Sequence, residues 1–233
     1  MHRRCLTLLA LFALATLLVG PAGAVGVEVR PDRVLDGDTV TISLSDLSNG
    51  TVFSLRLDGA VAPRPDGTFG FTTTDLVMPF SLEQGQVQAS LEKTETNELV
   101  VRKGDTQARI SGASQDGRYE TERKIAIGAG TYDEIGLSGT AAPGATTVRT
   151  TLSLTGVKRG PADGTISFTV RGVTSGTMTV SVYANAEKVY GKELPLGPAS
   201  TPTPTQQAGS GAGALALAAG LGAVLAAGRE RRR

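Results

Sequence analysis

Apolar and polar residues alternate along most of the chain between residues 25 and 199. A period of two places the apolar side chains on one face of an extended strand and leaves the other face polar. Strands with one polar face are typical of antiparallel sheets. The sequence therefore predicts an all-β, antiparallel body. The alternating apolar runs are Val40, Ile42 and Leu44; Phe53, Leu55 and Leu57; Val87, Ala89 and Leu91; Leu99 and Val101; Val148, Leu152 and Leu154; Ile166, Phe168 and Val170; and Met178, Val180 and Val182.

Asn-Gly and Asp-Gly pairs separate several of these runs. Asparagine, aspartate and glycine tolerate positive φ, so each pair predicts a tight hairpin turn. About a dozen short strands joined by such turns predict a β-sandwich. Residues 25–199 are numerous enough to bury one sizeable core. We expect one sandwich domain, with two modules divided near residues 112–117 as the alternative. The pairs are Asn49-Gly50, Asp66-Gly67, Asp116-Gly117 and Asp163-Gly164.

The rare residue types exclude several classes of site. The only cysteine is Cys5 and the only histidine is His2, so both lie close to the N-terminus. Without them the rest of the chain has no disulfide, no Cys/His zinc site, no thiolate nucleophile and no histidine-based triad. The terminal segments hold six of the 23 basic residues and one of the 22 acidic ones. The body between them is therefore net negative, which excludes a typical nucleic-acid-binding surface.

The N-terminus has the pattern of a secretory signal peptide. Arg3 and Arg4 precede an uncharged apolar run at residues 6–19, and Ala22-Gly23-Ala24 matches a small-residue cleavage site. We expect cleavage after Ala24, so that residues 1–24 are removed and the mature chain is exported. The alternative is an uncleaved anchor, for which an apolar run of this length is short.

The C-terminus has three parts in sequence. Residues 200–210 are rich in Pro, Thr and Gly and predict an extended spacer. Residues 211–228 carry no charge, and a helix of that length rises about 27 Å, close to the hydrocarbon thickness of a bilayer. Residues 229–233 are basic and are expected to stay in the cytoplasm. This organisation predicts a single-pass membrane protein with an extracellular body; the alternative is a flexible Ala/Gly tail that never inserts.

Two segments resemble parts of known surface proteins. The spacer, apolar stretch and terminal arginines of residues 200–233 resemble the tripartite tails that sortase or archaeosortase enzymes process. The opening segment, Val29-Arg30-Pro31-Asp32 followed by Gly37-Asp38-Thr39-Val40, resembles the start of immunoglobulin-like surface modules. Together these resemblances imply a prokaryotic, and in particular archaeal, cell-surface protein with an immunoglobulin-like ectodomain.

Modification sites are predicted in a turn and in the spacer. Asn49-Gly50-Thr51 is an N-glycosylation sequon, although the same asparagine also suits a tight turn. Thr201, Thr203 and Thr205 alternate with prolines, as in O-glycosylated stalks.

Two acidic pairs and the four tyrosines are the candidate ligand or catalytic groups. Asp36 and Asp38 supply too few oxygens for calcium, and we interpret them as a polar turn. Glu120 and Glu122 share one strand face, but neighbouring basic residues favour solvated ion pairs over a glycosidase site. We therefore expect no catalytic residue, no cofactor and no metal. The four tyrosines, which can form a sugar-binding platform or cap the core, are Tyr119, Tyr132, Tyr183 and Tyr190.

Three hypotheses for function follow from these features. The first is a non-catalytic, membrane-anchored surface protein with a structural or adhesive role in the envelope, bound to the membrane through its C-terminal helix and to surface-layer proteins or polysaccharide. The second is a carbohydrate-binding or cohesin-like docking module. The third is a secreted carboxylate-dependent hydrolase. Clustered tyrosines on a flat face favour the second, and two carboxylates in a deep cleft favour the third.

Overall fold

The computed structural model describes residues 24–198, and every regular element in this range is a β-strand. The predicted signal peptide before Ala24, the spacer and the predicted membrane helix lie outside the described residues. Within residues 24–198 no helix has the length and apolarity needed to cross a membrane. The strands are β1 (Gly26–Arg30), β2 (Thr39–Ser45), β3 (Val52–Val61), β4 (Thr68–Met78), β5 (Ser81–Glu92), β6 (Thr94–Lys103), β7 (Thr106–Ala113), β8 (Arg118–Lys124), β9 (Gly130–Ala141), β10 (Val148–Arg159), β11 (Gly164–Arg171), β12 (Gly176–Ala184) and β13 (Glu187–Leu196).

The strands form two antiparallel sheets arranged like a β-sandwich. Sheet A has seven strands in the order β1-β2-β11-β4-β9-β6-β7, and sheet B has six in the order β13-β12-β3-β10-β5-β8. Every ladder between neighbouring strands is antiparallel. Both sheets combine strands from before and after residues 112–117. The expectation of an all-β antiparallel body is confirmed.

The alternating runs bury their apolar face as the sequence predicts. In β3, Phe53, Leu55 and Leu57 are at most 4% exposed, while the residues between them are more exposed. Leu152 and Leu154 of β10 lie opposite Leu57 and Leu55 in the ladder and are equally buried. Burial of such side chains contributes about 1.5–3 kcal/mol each, so this shared core is the main source of stability.

Most connections carry the chain from one sheet to the other. Asn49-Gly50 joins β2 of sheet A to β3 of sheet B, and Asp66-Gly67 joins β3 to β4 of sheet A. Gly50 and Gly67 do adopt the positive φ values that their turns require, 82° and 80°. The turns are therefore real, but the expectation that they close hairpins is wrong, because the flanking strands diverge into different sheets. Asp116-Gly117 and Asp163-Gly164 also lead from one sheet to the other, from β7 to β8 and from β10 to β11. Gly117 has a φ of 74°, whereas Gly164 is already the first residue of β11.

Tight hairpins occur at two other places. Lys103 pairs with Thr106 at the end of the β6–β7 hairpin, and Gly104 in that turn has a φ of 55°. Ala184 pairs with Glu187 in the β12–β13 hairpin, where Asn185 and Ala186 have φ values of 49° and 67°. Two consecutive positive φ values match a type I′ turn, which suits the twist of an antiparallel pair.

The four sheet edges lie in two pairs. At one side, Lys192 of β13 donates through Nζ to the carbonyl oxygen of Val29 in β1 at 2.6 Å, which links the two sheets. At the other side, the ring of Tyr119 in β8 lies against Gly112 of β7. A Cβ atom on Gly112 would approach Tyr119 Cε2 to 2.6 Å, so glycine is required for this close contact.

Candidate functional site

The outer face of sheet B carries short polar side chains among longer charged ones. This follows from the period of two, because residues between the buried apolar positions point outward. Ser54, Ser153 and Thr155 form one hydroxyl cluster on this face, with Thr155 Oγ1 donating to Ser54 Oγ at 2.8 Å. The same alternation supplies Thr151 on β10 and Thr177 and Thr179 on β12.

A shallow depression of about 340 Å³ crosses four strands of this face. We call it the sheet B depression. Register explains its shape: Thr177, Ala60, Arg149 and Glu92 occupy one row across β12, β3, β10 and β5. The small side chain of Ala60 lowers the middle of that row, and longer side chains stand around it. The depression is lined by Arg56, Asp58, Gly59, Ala60, Ser90, Glu92, Arg149, Thr150, Thr151, Thr177 and Thr179.

The charges in the sheet B depression are paired with one another. Arg56 Nη2 lies 2.8 Å from Asp58 Oδ1, and Thr151 donates to the same carboxylate at 2.7 Å. The hydrogen bond to Asp58 raises the pKa of Arg56 above its ordinary value, so the guanidinium stays charged. Arg149 lies 3.9 Å from Glu92 at the other end. The depression offers hydrogen-bond donors and acceptors to a polar ligand, and none of its lining residues is aromatic.

The tyrosines are distributed over both sheets and do not form one platform. Tyr132 lies in the core at 4% exposure, and its hydroxyl donates to the carbonyl oxygen of Gly128 at 3.3 Å. Burial raises the pKa of Tyr132 above its ordinary value. Tyr119 and Tyr190 pack half-buried against the edge of the core, while Tyr183 lies on β12 close to the β12–β13 turn.

Glu120 and Glu122 lie on the outer face of the edge strand β8. Arg118 pairs with Glu120 two residues along the same strand, and both side chains are more than half exposed. Register places Glu120 opposite Ser90 and Glu122 opposite Gln88, so no second carboxylate faces them from β5. Two exposed carboxylates on an open strand lack the enclosed cleft that glycoside hydrolysis requires.

Asp36 and Asp38 accept hydrogen bonds from backbone amides. Asp36 Oδ1 accepts a hydrogen bond from the amide of Gly172 at 2.7 Å, and Asp38 Oδ2 accepts one from the amide of Leu35 at 2.8 Å. The Asp36 carboxylate therefore holds the loop between β1 and β2 against the segment after β11, whereas the Asp38 carboxylate closes a turn within that loop. Among residues 24–198 no group of three or more acidic, His or Cys side chains is placed to hold a metal.

Of the candidate modification and processing sites, Asn49 and Ala24 lie within the described residues. Asn49 is exposed in the turn before β3, and its Oδ1 accepts a hydrogen bond from the amide of Gly160 at 2.8 Å. This contact gives Asn49 a structural role between two loops in addition to its place in the sequon. Ala24 is exposed and lies two residues before β1. Thr201, Thr203 and Thr205 lie outside the described residues.

Sequence reasoning missed Lys158, which has no exposed surface. Its Nζ donates to the carbonyl oxygen of Gly160 at 3.0 Å and lies 5.6 Å from the centroid of the Phe80 ring. Burial lowers the pKa of Lys158, and the negative charge of Asp163 partly opposes this shift. The alternation of β10 could have revealed its position. Lys158 is an even number of residues from Leu152 and Leu154, so it falls on the same, buried face of the strand.

Comparison with known proteins assigns no family. No protein-family model matches the chain, and no curated protein shows significant similarity to it. The interpretation of the sites therefore rests on the sequence and on the geometry of the chain itself.

Proposed function

We propose that this protein is a non-catalytic, membrane-anchored surface protein with a structural or adhesive role in a prokaryotic cell envelope. The observation that carries the proposal is the character of the body: two antiparallel sheets with polar outer faces, with ion pairs on both sheets and with carboxylates on open surface. Such a body suits a structural or adhesive role, in which surface contacts carry the function. The leader and tail patterns of the sequence supply the reason to place it outside the cell and to anchor it by residues 211–228.

The positions of the two ends of the body support this topology. The end of β13 is tied to the segment after β1, because the amide of Val34 donates to the carbonyl oxygen of Pro195 at 3.0 Å and the amide of Gly197 donates to the carbonyl oxygen of Val34 at 2.9 Å. The chain therefore leaves the body beside the strand with which it begins. Cleavage after Ala24 and a spacer from residue 200 would leave every strand intact. We further propose that the sandwich is of the immunoglobulin-like kind.

Deletion of residues 211–233 tests the anchor. We expect the shortened protein in the culture medium and the full chain in the membrane fraction after carbonate and high-salt washes, because no other exported segment is long and apolar enough to span a bilayer. Changing Arg229, Arg231, Arg232 and Arg233 to Gly should release only part of the protein, since the weak Ala/Gly segment then lacks a charge to stop its translocation. Retention of the deletion variant in washed membranes would contradict the proposal and point to residues 6–19 as the anchor.

The sheet B depression supports a second candidate, a carbohydrate-binding module. Arg56, Asp58 and Thr151 present hydrogen-bonding groups of the kind that recognise sugar hydroxyls, although stacking residues are missing from its lining. Affinity electrophoresis in gels containing envelope polysaccharide tests this candidate. Thr151→Val should weaken retardation if the depression binds sugar, whereas Ser167→Val on the outer face of sheet A should not. Equal mobility of all three proteins with and without polysaccharide would remove this candidate.

We do not propose that the protein is a carboxylate-dependent hydrolase. It needs two carboxyl groups facing each other in a cleft, and Glu120 instead pairs with Arg118 on an open strand. A cohesin-like docking role remains compatible with the first proposal, with surface-layer proteins as the partner class.

A further inference from the structure

Three of the four sheet edges carry features that block pairing with another strand. Natural sheets protect their edges with charged side chains, proline and short strands. β8 has five charged residues among seven, and β13 contains Pro195, Lys188 and Lys192. β1 is only five residues long, includes Glu28 and Arg30, and is followed by a proline. Each of these edges is a poor template for an added strand.

The edge strand β7 is the least protected of the four. Its sequence, TQARISGA, contains one charged residue and no proline. Its ladder with β6 runs from Lys103 and Thr106 to Thr96 and Ala113 without a register shift. Six of its eight residues are exposed, and within residues 24–198 no strand pairs with its outer side. A regular, open edge of this length presents a row of backbone donors and acceptors to any strand that can reach it.

We propose that β7 pairs edge to edge, in antiparallel orientation, with β7 of a second copy of this chain. The pairing would join two copies of sheet A about a two-fold axis that passes through Ile110. Isologous pairing of this kind is the commonest way in which identical chains associate. It would occupy this least protected edge without requiring any change in the body.

Register argues for an axis at Ile110. In that register Ile110 faces Ile110 of the second copy, Ala108 faces Gly112, and Arg109 faces Ser111. The inner face of the joined sheets would then match small and apolar residues, as it already does where Ile110 lies opposite Leu99 within the chain. A register centred on Arg109 would instead place two guanidinium groups directly opposite each other, which is unfavourable.

Charge favours a second copy as the occupant. Arg109, the one charged residue of β7, is paired with Glu98 of β6, with 2.9 Å between Nη1 and Oε2. Each edge is therefore locally neutral, and two identical edges can approach without an unpaired like charge. A charged peptide would gain no complementary partner on this strand.

The expected association is weak in dilute solution. One pair of eight-residue strands buries less surface than a standard stable interface. Attachment of both copies to one membrane would raise their effective concentration and so favour the pair. In this respect the inference rests on the proposed function, but the pairing geometry does not depend on the anchor.

Oxidative cross-linking of the full chain tests the geometry. In a Cys5→Ser background, Ile110→Cys places two thiols on the axis, where directly opposed Cα atoms are about 4.5–5.5 Å apart and a disulfide can form. Thr106→Cys lies on the same strand and the same face, but the two thiols would be about 26 Å apart along the strands. We expect a disulfide dimer of Ile110→Cys on a non-reducing gel and a monomer of Thr106→Cys, in whichever cell fraction holds the protein.

A charge substitution tests whether the dimer depends on the edge. Ser111→Lys places a cation opposite Arg109 of the second copy, while within its own chain it faces Glu98 and should not disturb folding. Ser43→Lys is the control, because it also faces a glutamate, Glu28, on the outer face of sheet A but at the far edge. Combined with Ile110→Cys, Ser111→Lys should reduce the dimer about tenfold, since two like-charge pairs form by symmetry. Ser43→Lys should leave it unchanged.

Three results would overturn the inference: a monomeric Ile110→Cys, equal cross-linking of Ile110→Cys and Thr106→Cys, or equal dimer in the two lysine variants. Melting curves of each variant identify any loss of folding. Fractionation of the same cells reports separately on the anchor, so failure of the pairing and failure of the proposed function are distinguishable.

Discussion

The ammonium group of Lys158 lies 5.6 Å from the centroid of the Phe80 ring, at the end of β10 where the two sheets meet. Phe80 in turn packs edge to face against Phe53, with ring centroids 5.2 Å apart. A buried lysine is costly unless its charge is compensated. Here the compensation comes from the aromatic face and from the carbonyl oxygen of Gly160.

We predict that burial of Lys158 makes the protein more stable as the pH rises. Its pKa in the folded protein is lowered below 10.5 by burial, so between these two values the unfolded chain binds more protons than the folded one. The stability contributed by Lys158 is therefore full above pH 10.5 and is lost as the pH falls through the folded pKa. We expect the wild type to gain stability relative to Lys158→Met as the pH rises from about 7 towards 10. Urea unfolding of both proteins at the two pH values measures this gain, and a constant difference would contradict it.

The contact between Tyr119 and Gly112 predicts that even one added methyl group is harmful at residue 112. A Cβ atom there would lie 2.6 Å from the tyrosine ring, so Gly112→Ala should cost about 1–3 kcal/mol by overpacking. Gly70→Ala is the matched control in the same sheet, because the nearest atom to its Cβ lies at 3.8 Å. It should be neutral or slightly stabilising. The cost at Gly112 should fall when Tyr119 is also changed to Leu, as a double-mutant cycle would report.

Lys192 should contribute more to stability than its partner Asp32. Its Nζ donates to the carbonyl oxygen of Val29 and to Asp32 Oδ1, both at 2.6 Å. Lys192→Met removes the link between β13 and β1 and should cost about 1–2 kcal/mol. Asp32→Asn keeps the bond to Val29 and should cost less. The hydrogen bond from Lys192 lowers the pKa of Asp32 below 3.8, so the contribution of this carboxylate is lost as the pH falls below that value. Equal losses of stability in the two variants would show that the contact with Val29 adds nothing.

Glu120 and Glu122 should tolerate loss of charge. Glu120→Gln and Glu122→Gln remove exposed carboxylates, and exposed ion pairs contribute less than about 1 kcal/mol. Thermal or urea unfolding of each variant measures the change. A loss of several kcal/mol, or the loss of a hydrolytic activity measured in the wild type, would support the enzyme hypothesis instead.

The period of two predicted seven of the 13 strands in residues 24–198, namely β2, β3, β5, β6, β10, β11 and β12, but it did not predict their irregularities or those of the other strands. In β4, Phe69 and Phe71 follow the alternation, yet Thr73 and Leu76 both face inward although they are three residues apart. Asp75 between them has a φ of 54°, and the ladder with β11 shifts its register there. Such a bulge depends on the neighbouring strand, so a local pattern cannot predict it.

The Asn-Gly and Asp-Gly pairs predicted the backbone conformation of two turns correctly, but they did not predict which strands pair. Gly50 and Gly67 have the expected positive φ, but the destination of the next strand depends on which sheet can bury its apolar face. Lys158 was missed because a charged residue is normally expected at the surface. Its position in the alternation of β10 instead places it on the buried face of the strand. The sheet B depression likewise arises from residues on four strands that only the register brings together.

The central claim, that the body faces the outside of the cell, is tested most directly by labelling intact cells. In a Cys5→Ser background, Thr165→Cys places one thiol on the exposed outer face of sheet A, and Val180→Cys places one in the core as a control. A membrane-impermeant maleimide should label Thr165→Cys in the full chain before lysis and should label Val180→Cys only after unfolding. Labelling of Thr165→Cys only after lysis would place the body inside the cell and contradict the account.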